Sequence, residues 1–413
     1  MTYTTETKME LQDTITKLKM ENKELHDQNI NLNLQFVAME AQYQMLISKL
    51  TGKKAQNTST NDTPVDVLLK EWLDTNPYPE FLSYLQNRVI GQENVKMIAA
   101  CVYNYLDCIV NKREHNTRVI LTSPSGAGKT ETFRAIRDYF AEIIPELVID
   151  QVDMSTITEE GFRGRNTDDI ITRLFERPQD NGIGIIFLDE FDKKLLPSFD
   201  SSGTNINAHL QNQILTMLEG RDIRPSKKGE FADFTVNTGN TLFIALGAFD
   251  ECRERKEKEG KRIGFGENTN KDWYDLITRQ DILDIGGSVQ LIGRFSLIIN
   301  YHRLSDEAID RIIESFVRKT QNELGVKIEL SPAFRQYLHG EANSNFGCRM
   351  LQSIIQENAL NEYITIMDEN TKASVEKIKI LDNGTTKTII KRNSRQKSGP
   401  AKIAAEAEES YTM

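Results

Sequence analysis

Eight consecutive residues, Ser123-Pro-Ser-Gly-Ala-Gly-Lys-Thr130, carry the most specific chemistry in the sequence. An apolar run at 118–121 precedes them and a helical pattern at 131–142 follows. Strand, Gly-containing loop and helix in that order is the context that phosphate binding requires. Gly126 and Gly128 let backbone N–H groups of the Ser125–Thr130 turn approach phosphate oxygens with no Cβ in the way. The start of the following helix adds partial positive charge. Lys129 is then placed to reach β and γ phosphates, and the Thr130 hydroxyl to ligate Mg²⁺. Ser123 stands where such loops usually begin with Gly.

A second apolar run, 185–188, ends in Asp189-Glu190. Asp189 at the C-terminal edge of a strand suits Mg²⁺, directly or through water. Glu190 suits a general base that orients an attacking water. An acidic pair after one apolar strand is common. The pair together with the phosphate loop predicts a site for a nucleoside triphosphate bound with Mg²⁺.

These residues need a sheet to hold them. Short apolar runs at 118–121, 148–152, 185–188, 242–246 and 297–300 alternate with helical patterns. That alternation predicts an α/β fold with a parallel sheet and flanking helices over 65–300. From 301 to 369 the pattern is largely helical, and 377–381 and 386–390 flank Asp382-Asn383-Gly384, a hairpin signal. A second domain, smaller and mainly helical with a β-hairpin, is therefore expected over 301–392. The polar segment 393–413 is expected to be a disordered tail.

The first 50 residues have a different period. Leu11, Leu18, Leu25, Leu32, Met39 and Leu46 recur every seven, and Lys8, Ile15, Asn22, Asn29, Phe36 and Tyr43 precede them by three. This is an a/d heptad seam, so 1–50 is expected to be a coiled-coil helix. Asn22 and Asn29 at a positions favour a defined register and a parallel dimer. Residues 51–64, rich in Thr, Asn and Lys, read as a flexible linker.

Composition narrows the class. The chain has 413 residues and a formal net charge of −10, a poor footprint for nucleic-acid binding. No apolar run approaches the ~20 residues of a membrane helix, and Met1 to Gln12 has no apolar signal region. Cys101, Cys108, Cys252 and Cys348 form no C-x-x-C pair, which argues against a zinc ribbon or a disulfide framework. A reduced, cytoplasmic protein without zinc is expected.

Across roughly 68–362 the sequence resembles the AAA+ ATPases and, within them, the ClpX family of unfoldases. Val89-Ile-Gly-Gln-Glu93 is similar to the family's adenine-contacting segment, which implies that Val89 and Ile90 touch the base. Ile185 to Lys193 resembles its Walker B stretch. Asp153 to Gly164 resembles the first pore loop and its lead-in, with Phe162 and Arg163 where the family usually has Tyr and Val. Leu215 to Gly220 and Gly247-Ala-Phe249 also match. Leu291-Ile-Gly-Arg294-Phe295 resembles the arginine-finger segment, and Phe346-Gly-Cys-Arg349 resembles sensor 2. Lys227-Lys228 holds the place of a basic loop at the pore entrance. Arg262 to Gly266, with Ile263, Gly264 and Phe265 at its centre, resembles the loop that docks the ClpP peptidase.

The resemblance implies a P-loop ATPase domain with a five-stranded parallel sheet, a helical lid domain and a homo-oligomeric ring of six. It implies ATP-driven unfolding of protein substrates, delivered to a ClpP-like peptidase. Three departures bear on this. The zinc-binding N-terminal domain of ClpX is absent from the pattern, and the coiled coil is a candidate dimerising or adaptor-recruiting surface in its place. No polar sensor-1 residue ends the run 242–246, and Gln352 stands where a second Arg is frequent. Two alternatives stay open: a peptidase-independent remodelling ATPase recruited through the coiled coil, and a slow nucleotide-switch scaffold.

Overall fold

The computed structural model describes residues 64–157, 167–199, 203–225, 235–262, 276–342, 347–369, 375–381 and 386–390. The expected coiled coil (1–50), the linker (51–64) except Pro64, Phe162 and Arg163, Lys227-Lys228, Ile263 to Phe265, and the tail (393–413) lie outside the described residues. The chain divides into two compact units that meet in sequence at Leu304 and Ser305.

The first unit opens with helices α1 (Pro64–Asp74), α2 (Tyr78–Arg88) and α3 (Val95–Val110). α3 buries Val95, Ile98, Ala99, Val102, Tyr105, Leu106 and Ile109, an apolar stripe at helical spacing. Strand β1 (Arg118–Thr122), helix α4 (Lys129–Ile143), strand β2 (Val148–Asp153) and strand β3 (Gly184–Asp189) follow. Then come α5 (Ile206–Leu218), a two-residue strand pair β4 (Asp222–Ile223) and β5 (Val236–Asn237), and β6 (Thr241–Gly247). α6 (Asp250–Arg262), α7 (Arg279–Asp284), α8 (Val289–Gly293) and β7 (Leu297–Asn300) complete the unit.

The main sheet has five strands in the order β2-β3-β6-β1-β7, each adjacent pair parallel. The five apolar runs of the sequence are these five strands. Their residues alternate between two cores. Val119, Leu121, Ile185, Phe187, Leu242, Ile244 and Leu246 face one core with α1 to α4. Ile120, Ile186, Leu188, Phe243 and Ala245 face the other with α5, α7 and α8. Burial on both faces explains why the inner strands β1, β3 and β6 read as apolar runs, whereas the half-buried edge strand β2 carries Asp150 and Gln151.

The charged stretch 251–261 forms most of α6, although not all of it is exposed. Cys252, Arg253 and Lys256 are buried, and Lys256 Nζ pairs with Asp281 at 2.7 Å. Among the described residues no helix is long and apolar enough to cross a membrane.

The second unit contains α9 (Asp306–Leu324), β8 (Lys327–Leu330), α10 (Pro332–Ala342), α11 (Arg349–Asp368), β9 (Val375–Ile380) and β10 (Thr386–Ile390). Ser305 caps α9 by accepting from the Ala308 N–H, and Gly325 ends it at φ 65°. β9 and β10 form the antiparallel hairpin read from the sequence. The largely helical reading of 301–369 needs one correction. β8 interrupts it and pairs parallel with β9, so the hairpin belongs to a three-stranded sheet.

Candidate functional site

The phosphate loop leaves β1 at the C-terminal edge of the sheet. β1 is an inner strand between β6 and β7, so the loop has strands on both sides. Gly126 (φ 74°) and Gly128 (φ 108°) both adopt the left-handed region that other residues disfavour. Gly128 also abuts the Val89 segment, since a Cβ there would lie 3.4 Å from Val89 Cγ1. Val89 is buried, Ile90 half-buried and Ser125 exposed.

Ser123 needs no such freedom, because its φ is not positive. It is fully buried, its N–H donates to Gly247 O at 3.2 Å, and its hydroxyl donates to Pro124 O at 2.9 Å. The serine therefore substitutes for Gly without backbone strain. Lys129 is buried, and its Nζ donates to Ser123 O at 2.6 Å. Thr130, one residue into α4, is half-buried.

One strand separates β1 from β3, about 10 Å at the usual strand spacing. Leu188 pairs with Ala245 and Thr122 with Gly247, so Asp189 emerges nearly level with the phosphate loop. Asp189 is half-buried and held twice. Its Oδ2 accepts from Gln151 Nε2 at 2.5 Å, and its Oδ1 accepts from the Glu190 N–H at 2.9 Å. Glu190 is exposed and sits at φ 53°, ψ 33°, left-handed for a residue with a full side chain. Such a conformation costs about 1 kcal/mol or more and is found at functional turns. Lys129, Thr130, Asp189 and Glu190 thus share one edge of the sheet.

The donor set fits Mg²⁺ bound with a triphosphate. Thr130 and Asp189 offer oxygen ligands, and such sites leave most positions to waters and phosphates. Among the described residues no group of three His, Cys, Asp or Glu side chains is arranged to hold a metal alone.

Sequence reasoning passed over three residues at this edge. Gln151 orients Asp189, as above. Gln92 is buried, and its Nε2 donates to Ala127 O at 3.0 Å and to His302 O at 2.7 Å. Asp192 is buried beside Gly247 and accepts from the Phe249 N–H at 3.0 Å. Burial pushes the Asp192 carboxyl above the usual range, opposed by that hydrogen bond and by the charges of Lys193 and Lys129. Gly247 admits this packing because a Cβ would meet the Phe249 ring at 2.5 Å and Asp192 Oδ1 at 2.9 Å. All three lay inside or next to recognised segments. Only the long-range packing reveals what they bind.

Arg294 lies elsewhere. It follows α8 and precedes β7, whose lead-in bonds to the start of β1 through Ser296 N–H to Arg118 O at 2.9 Å. A five-residue strand rises roughly 17 Å, so Arg294 stands at the sheet edge opposite its own phosphate loop. Its guanidinium pairs with Glu219 Oε1 at 2.7 Å. Arg349 belongs to the second unit, where it is the exposed first residue of α11.

A parallel 2-3-6-1-7 sheet with this phosphate loop and this acidic strand end defines a P-loop nucleoside triphosphatase. Comparison with known proteins sharpens the class. Residues 114–298 match the family described as "AAA domain (Cdc48 subfamily)", and 304–380 match "C-terminal, D2-small domain, of ClpB protein". Several curated relatives are named "ATP-dependent Clp protease ATP-binding subunit ClpX". That of Treponema denticola is 26% identical over 353 residues, 76% of this chain and 84% of the relative. That of Porphyromonas gingivalis is 24% identical over 363 residues, 80% and 84% of the two chains. That of Azotobacter vinelandii is 26% identical over 366 residues, 78% and 81%. The chain resembles the ClpX-type ATPases of the AAA+ class.

Proposed function

We propose that the chain is an ATP-driven protein unfoldase that works as a hexameric ring in the cytoplasm. The observation that carries the reading is the shared sheet edge of Lys129, Asp189 and Glu190, set in a chain that aligns with ClpX proteins over most of its length. Lys129 and the Ser125–Thr130 backbone bind the phosphates, and Val89 and Ile90 contact the adenine. Thr130 and Asp189 hold Mg²⁺, which neutralises charge on the β and γ phosphates when bound. Glu190 orients the attacking water and accepts its proton. The charge that builds on the γ-phosphoryl oxygens is stabilised by Arg294 of a neighbouring subunit. Its place on the far edge of its own sheet supports action in trans. Arg349 is the candidate sensor-2 arginine.

Phe162 grips an extended substrate chain by packing, which needs no sequence readout. Arg163 beside it adds a positive charge per subunit and favours acidic substrate segments. Ile263, Gly264 and Phe265 dock a ClpP-like peptidase, and the coiled coil at 1–50 dimerises or recruits adaptors. The test is degradation of a tagged fluorescent protein by the purified ATPase with a ClpP-type peptidase. ATP-dependent degradation that is lost on deleting Ile263–Phe265, with hydrolysis intact, supports coupling to a peptidase.

The heptad seam at 1–50 favours a second reading, a peptidase-independent remodeller recruited through the coil. Under that reading the deletion leaves activity on the native target unchanged, and removing residues 1–50 abolishes it.

A further inference from the structure

The carboxylate that holds Arg294 is itself unusually well fixed. Glu219 follows α5 and donates its N–H to Leu215 O at 3.0 Å. The next residue, Gly220, has φ 77°, and a Cβ there would lie 3.0 Å from the Gly239 backbone. Arg221 is clasped by Thr238, which accepts from the Arg221 N–H at 3.1 Å and donates its own N–H to Arg221 O at 3.0 Å. Residues 219 to 221 are thus pinned beneath the N-terminal edge of the sheet.

Two guanidiniums bind the one carboxylate. Glu219 Oε1 binds Arg294 at 2.7 Å, and Glu219 Oε2 binds Arg221 at 2.5 Å. Arg118 is buried nearby, and after burial it is the charge of Arg294 that lowers its pKa. Without Glu219, Arg294 would lose this anchor while the Arg118 charge stayed nearby. The Arg294 side chain is 49% exposed and that of Glu219 21%. An exposed pair of this kind contributes on the order of 0–1 kcal/mol, enough to bias an orientation and too little to trap it. The contact engages Nη2 of Arg294, so it can persist while other guanidinium N–H groups meet a phosphate.

We propose that Glu219 is the positioning residue for Arg294, holding the guanidinium poised at the subunit surface for the neighbouring subunit's nucleotide and keeping its contact in the transition state. The inference rests on the reading of Arg294 as the residue supplied in trans. Its test is a double-mutant cycle on the assembled full-length protein: wild type, Glu219→Ala, Arg294→Ala and the double variant. Single-turnover ATP hydrolysis, affinity for a fluorescent ATP analogue, thermal melting and light scattering are measured for each.

Arg294→Ala is expected to slow hydrolysis by about 100-fold or more. Glu219→Ala is expected to slow it about 2- to 5-fold, with nucleotide affinity within about twofold of wild type and assembly unchanged. Glu219→Asp restores most of the rate. In the Arg294→Ala background Glu219→Ala has no further effect, because there is nothing left to position. Losses that multiply in the double variant, or a Glu219→Ala loss matched by weakened assembly or melting, overturn the proposal and make Glu219 structural. Wild-type hydrolysis by Arg294→Ala overturns the reading of Arg294 and this inference with it.

Discussion

The side-chain amide of Gln92 grips the peptide of His302 on both sides. Its Nε2 donates to His302 O at 2.7 Å and its Oε1 accepts from the His302 N–H at 3.0 Å. The same Nε2 reaches Ala127 O in the phosphate loop. One buried side chain thus ties the loop to the segment just ahead of Ser305, where the second unit begins. Gln92→Ala would leave these backbone groups without partners, at about 1–3 kcal/mol for each one left buried. The expected result is a lower melting temperature together with weaker binding of a fluorescent nucleotide. A fall in stability with unchanged binding would limit Gln92 to a structural role.

Lys129→Ala should abolish nucleotide binding, whereas Glu190→Gln should bind ATP and fail to turn it over. The expected loss of turnover for Glu190→Gln is about 100-fold or more, the scale of removing a general base and its charge. Equilibrium binding and phosphate release, measured side by side, separate the two variants. Equal binding defects in both would argue against the assigned roles.

Gly247→Ala tests the packing behind the site. The added methyl must displace the Phe249 ring, which is fully buried and at φ 52°. Overpacking of this kind costs about 1–3 kcal/mol. It should also break the Phe249 N–H bond to Asp192 and reduce hydrolysis. Normal stability and rate in this variant would show that Phe249 moves freely.

His115 sets a pH dependence. It is buried with its ring against Tyr105 at 4.8 Å between centroids. Burial, and then the Arg118 charge, lower its pKa from 6.5 to about 4. Between those values the unfolded chain binds the extra proton and the folded chain does not. Stability present above pH 6.5 is therefore lost as the pH falls toward 4. Melting curves of His115→Gln should be flatter than wild type in that window. Parallel curves for the two proteins would contradict the assignment.

Much of this architecture is legible in the sequence because of burial. Strands covered on both faces must be apolar at every position, so runs such as 185–188 stand out without any partner information. The phosphate loop is legible because two glycines, a lysine and a threonine must sit at fixed spacing. β8 is hard to read, because its alternating Lys-Ile-Glu-Leu run is only four residues long between two helices and its partner β9 lies far along the chain. Glu219 and Gln92 are hidden for a related reason. Their partners lie 75 and 210 residues away, and no local period encodes such contacts. Gln151 and Asp192 are ordinary polar residues until the strands bring Asp189 and Phe249 beside them.

The most direct test of the account is ATP-dependent unfolding of a folded fluorescent protein that carries an unstructured tail, with a trap to prevent refolding. Wild-type protein should extinguish the fluorescence only with ATP. Glu190→Gln should not, and Phe162→Ala should hydrolyse ATP while failing to unfold the substrate. Unfolding by Phe162→Ala at the wild-type rate, or brisk hydrolysis with no unfolding whatever tail is supplied, would contradict it.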